Sequence, residues 1–513
     1  MDFPIILESL SRSRAVPPTE AFCYLKPRSF NSLSRLINDK NISGEFARSV
    51  RTGAGEFTPE GNELSDPLTG SPMDAGSKTG ESGSAIISSV SPKPISWLRK
   101  TLKIFGPGLV TGAADDDPSG IATYSSVGAQ FGSSMLWTMP LIYPFMAAIQ
   151  EISARLGRVT GRGIAGNMRR FYPAWMSFVI IGLLLIANII NIGADVGAMG
   201  AAVHLLVGGP AHLYCVLFAL VSVVLQVRIP YKTYSGILKW LTLSLFSYVG
   251  TIFVVQINWP EVIRGTLIPT ISFKGEYLAA LIAVLGTTIS PYLLFWQSGE
   301  EVEQTESEPK EKPLKKEPQK APEQLQRIKI DTYVGMAFSN LIAYFIILTA
   351  AATLHTHGKT EINSAAEAAE ALRPIGGPFA ALLFSLGVIG TGLLALPVLG
   401  GSAAYALGEA LKWPVGLERK GKEAKAFYSV LAVATLIGLA LNFTKIDPIK
   451  ALVWAAIING ITAAPVMCFA MILASRRKVM GKLTLPLYLK ILGWSATAIM
   501  ALAAVGMLLT SGK

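Results

Sequence analysis

Within an apolar stretch from about Ile104 to Phe131 stands the run Ala113-Ala114-Asp115-Asp116-Asp117-Pro118-Ser119-Gly120. Three carboxylates, a proline and a glycine conflict with a continuous helix in lipid. A carboxylate near the bilayer centre costs about 2.5–3.5 kcal/mol or more. Proline removes a backbone donor and clashes with the preceding turn. The run therefore requires a helix broken at Asp117-Pro118, with its carboxylates turned toward protein or a cation rather than lipid.

The rest of the chain makes lipid its solvent. Of 513 residues, 51% are hydrophobic and 15% charged, and mean hydropathy is +0.45. Soluble domains carry about a quarter charged residues. Apolar runs near the ~20 residues needed to cross a bilayer predict eleven helical spans. They lie near 105–131 (broken), 134–156, 175–207, 211–228, 234–256, 277–297 (broken), 329–354, 379–411, 424–442, 448–474 and 487–509. The expected class is an all-α polytopic membrane protein. The 175–207 run is long enough to tilt, and Asn188, Asn191 and Asp195 leave a hairpin open there. Cys23, Cys215 and Cys468 show no metal-type spacing and read as packed thiols.

The net charge of +11 is topogenic. Arg155, Arg158, Arg162, Arg169 and Arg170 fall in the second loop, and Arg476, Arg477, Lys478, Lys482 and Lys490 in the tenth. The fourth and eighth loops are also basic, while the odd loops hold few Lys or Arg. The positive-inside rule then puts the N-terminus in the cytoplasm and the C-terminus outside. We expect a bacterial inner-membrane protein, monomeric in the bilayer, with no nucleic-acid partner. Residues 1–98, rich in Ser, Gly, Pro and charge, read as a disordered cytoplasmic tail preceding a membrane domain over 99–513. An over-long reading frame with a start near Met73 is the other explanation of that tail. The Glu/Lys/Pro/Gln-rich stretch 300–328 reads as a solvated cytoplasmic linker.

The sixth span repeats the break. Gly286-Thr287-Thr288-Ile289-Ser290-Pro291-Tyr292 places a proline after a glycine and three hydroxyls. The residue before proline avoids helical geometry, and carbonyls are freed where lipid cannot satisfy them. A cation can. Breaks at corresponding positions of two five-span halves are what an inverted-repeat transporter predicts. The expected site is thus a mid-membrane cation site, with Pro118, Gly120 and Pro291 breaking its helices.

Gly106-Pro107-Gly108 followed by the Asp-Pro break, and the break from Gly286 to Pro291, resemble the natural resistance-associated macrophage protein (Nramp) family of divalent-metal transporters. The resemblance covers the chain from about residue 99. It implies a LeuT-type 5+5 inverted repeat plus one span. It also implies a divalent cation as cargo, no resident cofactor and no enzymatic activity. The family's Asp-Pro-Gly-Asn reads here Asp117-Pro118-Ser119-Gly120, losing the asparagine ligand. Its Met-Pro-His reads Ser290-Pro291-Tyr292, losing the methionine and histidine, and Thr287 stands where the family has alanine.

These departures leave oxygen donors. Thioethers favour late transition metals, and oxygens favour Mg²⁺, Ca²⁺ and Mn²⁺. Mg²⁺ keeps several waters and takes one or two carboxylates. The pattern resembles the Nramp-related magnesium transporter branch, and the expected cargo is Mg²⁺ with Mn²⁺ also carried. The candidate ligand set is Asp117, Ser119, Thr287, Ser290 and Asn459, the last through a polar tenth-span position of the family. The hydroxyls could instead bond back to their own helices, and Asn459 could instead bridge helices.

Asp115 and Asp116 cannot both face the same point as Asp117, helical neighbours diverging by about 100°. One is expected to line a cytoplasmic vestibule and the other to cap the half-helix. Asp195 and Tyr292 are vestibule or relay candidates, and Asp195 is also open as a second ion-site group or a partner for a neighbouring polar residue. With Tyr292 in place of histidine, and no arginine from Phe427 to Leu441, the expected uptake is driven by membrane potential rather than protons. That potential favours a divalent cation by roughly 4.6 kcal/mol per 100 mV. His355-x-His357 could capture metal but reads first as a solvated loop, and His204 and His212 read as interfacial. The competing functions are proton-coupled Mn²⁺/Fe²⁺ transport and sodium-coupled transport of an organic solute. Asp117 argues against the second, because it would repel an anionic substrate group.

Overall fold

The computed structural model describes residues 107–229, 241–308, 310–417, 419, 422–444 and 447–510. The expected tail over 1–98, Cys23 and residues 234–240 of the fifth span lie outside them. All regular structure among the described residues is helical. The first span is two helices, α1 (Pro107–Asp115) and α2 (Pro118–Phe131). Then follow α3 (Thr138–Thr160), α4 (Ala174–Val207), α5 (Ala211–Arg228) and α6 (Phe246–Ile252). The sixth span is again two helices, α7 (Gly275–Thr288) and α8 (Pro291–Ser307). The remainder are α9 (Ala321–Thr353), α10 (Ala380–Leu411), α11 (Lys425–Leu441), α12 (Pro448–Ser475) and α13 (Leu487–Thr510).

Seven described segments, with α7 and α8 taken together, are long and apolar enough to cross a membrane. The others fall short for physical reasons. The first span is split, α3 buries Gln150, Glu151 and Arg155, α11 has 17 residues, and the fifth span is partly described. Trp175, Ile186, Leu217, Val224, Leu502 and Leu508 are exposed. An apolar surface of this extent suits lipid rather than water.

Both breaks follow from local chemistry. Asp117 and Ser290 are extended and each precedes a proline at the first helical position. The half-helices are wedged among long neighbours. α9 packs along both α1 and α2, α12 along α7, and α4 against α10, α11 and α12. The α7–α12 approach needs two glycines. A Cβ on Gly286 would lie 2.2 Å from the Ala456 carbonyl oxygen and 2.3 Å from the Gly460 nitrogen.

The 175–207 run lies within one unbroken helix, α4, of 34 residues, about 50 Å long at roughly 1.5 Å per residue. The hairpin left open above does not form, because the polar residues are used between helices. Asn188 donates to the Leu399 carbonyl and to Ser402 Oγ, each at 2.8 Å.

The 300–328 stretch differs from a solvated linker. Helix α8 continues to Ser307 and α9 starts at Ala321. Between them Leu314 is buried, and the Leu314 and Lys315 amides donate to the Arg158 and Val159 carbonyls at 3.1 and 3.0 Å. Buried Arg158 pairs with Glu311 and donates to Thr305 Oγ1 at 2.6 Å. Arg327 pairs with fully buried Glu301 at 2.6 Å. Arg158, assigned above to topology alone, therefore also fixes this connection to the bundle.

Cys215 is buried, Cys468 is partly buried, and both are free thiols. His355 contacts the Ala129 carbonyl and His357 the Thr353 carbonyl, so the pair does not converge. His212 stacks on Phe443 and His204 contacts the Gly209 carbonyl.

Candidate metal site

Asp117 lies in the gap between α1 and α2 and caps α2. Its Oδ1 accepts from the Gly120 amide at 2.8 Å and from Ser119 Oγ at 2.7 Å. Its Oδ2 accepts from Asn191 Nδ2 at 3.1 Å and from the Tyr292 hydroxyl at 3.2 Å. The carboxylate therefore joins the first, third and sixth spans. A side-chain N-cap contributes typically about 1 kcal/mol, so part of this geometry is structural. The capping role expected of Asp115 or Asp116 belongs to Asp117 instead.

The sixth-span break faces this point. Thr287 Oγ1 lies 3.4 Å from Ser119 Oγ, within a hydrogen bond that either atom could donate. Ser290 Oγ lies 2.8 Å from the Gly286 carbonyl and 3.0 Å from the Thr287 carbonyl. Of the two readings of Ser290, back-bonding is the one observed: its hydroxyl serves carbonyls freed by Pro291. The Tyr292 hydroxyl also lies 3.5 Å from the Ala114 carbonyl. Oxygen donors from both broken spans thus surround one carboxylate.

Asp195 is fully buried one helical turn from Asn191 on α4. Its electrostatic neighbours are the Asp117 carboxylate and the Ser119 amide, and neither of its oxygens makes a well-formed hydrogen bond. Asp115 and Asp116 turn the other way and meet Ser339 of α9. Both are buried, so neither lines an open vestibule. Asn459 is buried in α12 with both amide atoms unpartnered, and no hydrogen bond ties it to the Asp117 group. Among the described residues no Lys, Arg or His forms an ion pair with Asp115, Asp116, Asp117 or Asp195.

Two residues escaped the sequence reading. Asn191 was noted only as a polar interruption, although Asn188, Asn191 and Asp195 at i, i+3 and i+7 mark one helix face. Ser339 carried no such signal, since one serine in a long apolar span reads as self-bonded. Because Asn191 orients Asp117 through one neutral amide, replacing it with alanine should cost on the order of 1 kcal/mol. The expected outcome is about fivefold weaker apparent metal affinity with the maximal uptake rate nearly kept, measured by Mn²⁺ uptake into proteoliposomes. An unchanged affinity would show that Asn191 does not orient the ligand.

The comparisons agree with this architecture. The chain is 26% identical over 423 residues to the divalent metal cation transporter MntH of Verminephrobacter eiseniae, covering 80% of this chain and 90% of that one. It is 26% identical over 410 residues to MntH of Klebsiella pneumoniae, covering 78% and 92%. The crystal structure of the Eremococcus coleocola manganese transporter superposes with a TM-score of 0.63 at 16% identity, over 82% of this chain and 88% of that one. That likeness concerns the fold, a LeuT-type inverted repeat. The sequence profile described as natural resistance-associated macrophage protein-like matches residues 108–510. The chain belongs to the Nramp family.

Proposed function

We propose that this chain carries divalent metal cations across the membrane by alternating access, favouring partly hydrated Mg²⁺ and also carrying Mn²⁺. The observation that carries this reading is Asp117, a buried carboxylate with no basic partner among the described residues, set where two broken helices meet. The names of its relatives, divalent metal cation transporters, support the substrate class.

In this reading Asp117 supplies the charge, and Ser119 and Thr287 supply hydroxyl oxygens. Ser290 acts through water, and Asn459 joins the site when the helices rock. An all-oxygen site without thioether favours hard cations. Entry is toward a cytoplasm that holds the N-terminus and the 1–98 tail, across a bacterial inner membrane, with the protein acting as a monomer. Membrane potential drives uptake without proton coupling, for the sixth-span histidine and a ninth-span arginine are both missing.

Asp195 favours the second reading, proton-coupled transport. It is an unpaired carboxylate beside Asp117 and could carry a proton in exchange with metal. Both readings are tested in proteoliposomes loaded with metal- and pH-sensitive dyes. Expected is Mn²⁺ uptake that excess Mg²⁺ suppresses at least as well as Cd²⁺ does, with no matching acidification. Cd²⁺ entry without Mg²⁺ competition would overturn the ion preference. Stoichiometric proton entry would overturn the uncoupled mechanism.

A further inference from the structure

The transport site leaves a second pair of buried carboxylates unexplained. Asp115 and Asp116 are 0% and 1% exposed. Ser339 Oγ lies 2.6 Å from Asp115 Oδ2 and 3.2 Å from Asp116 Oδ1. A hydroxyl has one proton and can donate to only one of them. The other two oxygens, Asp115 Oδ1 and Asp116 Oδ2, have no hydrogen-bond partner.

Tyr124 is the independent observation. Its side chain is fully buried and its hydroxyl also lacks a partner. Its ring edge lies against the break. A Cβ built on Gly120 would be 3.3 Å from Tyr124 Cε2 and 3.5 Å from the Asp115 carbonyl. The aspartates are its electrostatic neighbours, Asp115 first, then Asp116 and Asp117. Two adjacent carboxylates with no basic partner repel strongly where water is scarce. A cation relieves that repulsion and satisfies the orphan oxygens.

We propose that Asp115 and Asp116, with the hydroxyls of Ser339 and Tyr124, form a second divalent-cation site, separate from the one at Asp117. Asp117 turns toward α4 and α8, whereas this pair turns toward α9. Two carboxylates and two hydroxyls are a hard donor set suited to Mg²⁺ or Mn²⁺. Two cations bound so close together repel, which loosens each and aids release, as in multi-ion pathways. The inference rests on the proposed transport function only for the identity of the ion.

The test is Mn²⁺ binding to the purified full-length chain in nanodiscs, by equilibrium dialysis with metal analysis and by electron paramagnetic resonance. Expected are two Mn²⁺ per chain, with a spectrum broadened by their coupling. The D115N/D116N variant should bind one and show the sharp six-line spectrum of an isolated ion. D117N should also bind one, and the triple variant none. The milder Ser339→Ala variant should bind the second ion about fivefold more weakly, as expected for one lost neutral contact. It serves if the double variant unfolds. One Mn²⁺ per wild-type chain, lost in D117N and untouched by D115N/D116N or Ser339→Ala, would overturn the second site while leaving the transport function standing. A wild-type chain that neither binds nor transports Mn²⁺ or Mg²⁺ would overturn both.

Discussion

Replacing Asp117 with alanine should lower the initial rate of Mn²⁺ entry by about 100-fold or more, close to the leak of empty liposomes. The carboxylate is buried and unopposed by any basic side chain among the described residues, so a bound cation is its natural counter-charge. Losing one partner of a buried charge pair costs about 3–5 kcal/mol, and 1.4 kcal/mol is a factor of ten. Alanine also removes the cap of α2, so the loss alone would be ambiguous. Asparagine separates the two roles. It caps helices as well as aspartate does, its Oδ1 accepts from Gly120 and Ser119 in the same way, and its amide donates to Asn191 Oδ1 once that unpartnered side chain turns over, but it carries no charge. Asp117→Asn should therefore keep the thermal stability of the wild type and still lose uptake. An Asp117→Asn protein that transports normally would reduce Asp117 to a structural cap and remove the basis of the proposed site.

The second large effect should be on stability rather than transport. Arg327 Nη2 lies 2.6 Å from Glu301 Oε2, and the Glu301 side chain is fully enclosed. Arg327→Ala would leave that carboxylate buried without its partner, at an expected cost of about 2–3 kcal/mol. This is below the usual range for buried pairs because Arg327 is partly exposed. The apparent melting temperature in detergent should fall by several degrees. Uptake per folded molecule should be nearly unchanged, because the pair tethers the α8–α9 connection and not the metal site. Adding Glu301→Gln to Arg327→Ala should restore most of the loss by removing the stranded charge. A double variant no more stable than Arg327→Ala would mean that the arginine acts by packing alone.

Several features could be read in the chain before its shape was known. Asp117-Pro118 and Ser290-Pro291 announced the broken helices because each joins a proline to polar side chains inside an apolar span, whereas Pro144, Pro397 and Pro465, set among apolar or aromatic neighbours, sit inside continuous helices. Asp117 stood out because a mid-membrane carboxylate is costly and rarely incidental. Partners across helices were another matter. Asn191 lies 74 residues from Asp117 and Ser339 lies 224 from Asp115. Nothing local to either signals which carboxylate it meets. The linker was misjudged for the opposite reason. Its composition is that of a solvated segment, and only tertiary contacts, the docking of Leu314 and Lys315 on α3 and the Glu301–Arg327 pair between α8 and α9, order it.

The sequence by itself determined the solvent, the helical class, the positions of the two breaks and the acidic centre. Each follows from costs paid locally, by a residue and its neighbours in the chain. Tertiary structure decided how three consecutive aspartates divide their labour. The break at Asp116–Asp117 rotates Asp117 toward α4 and α8 and leaves Asp115 and Asp116 facing α9. That division depends on which long helices pack on either side of the gap, and no local preference encodes it.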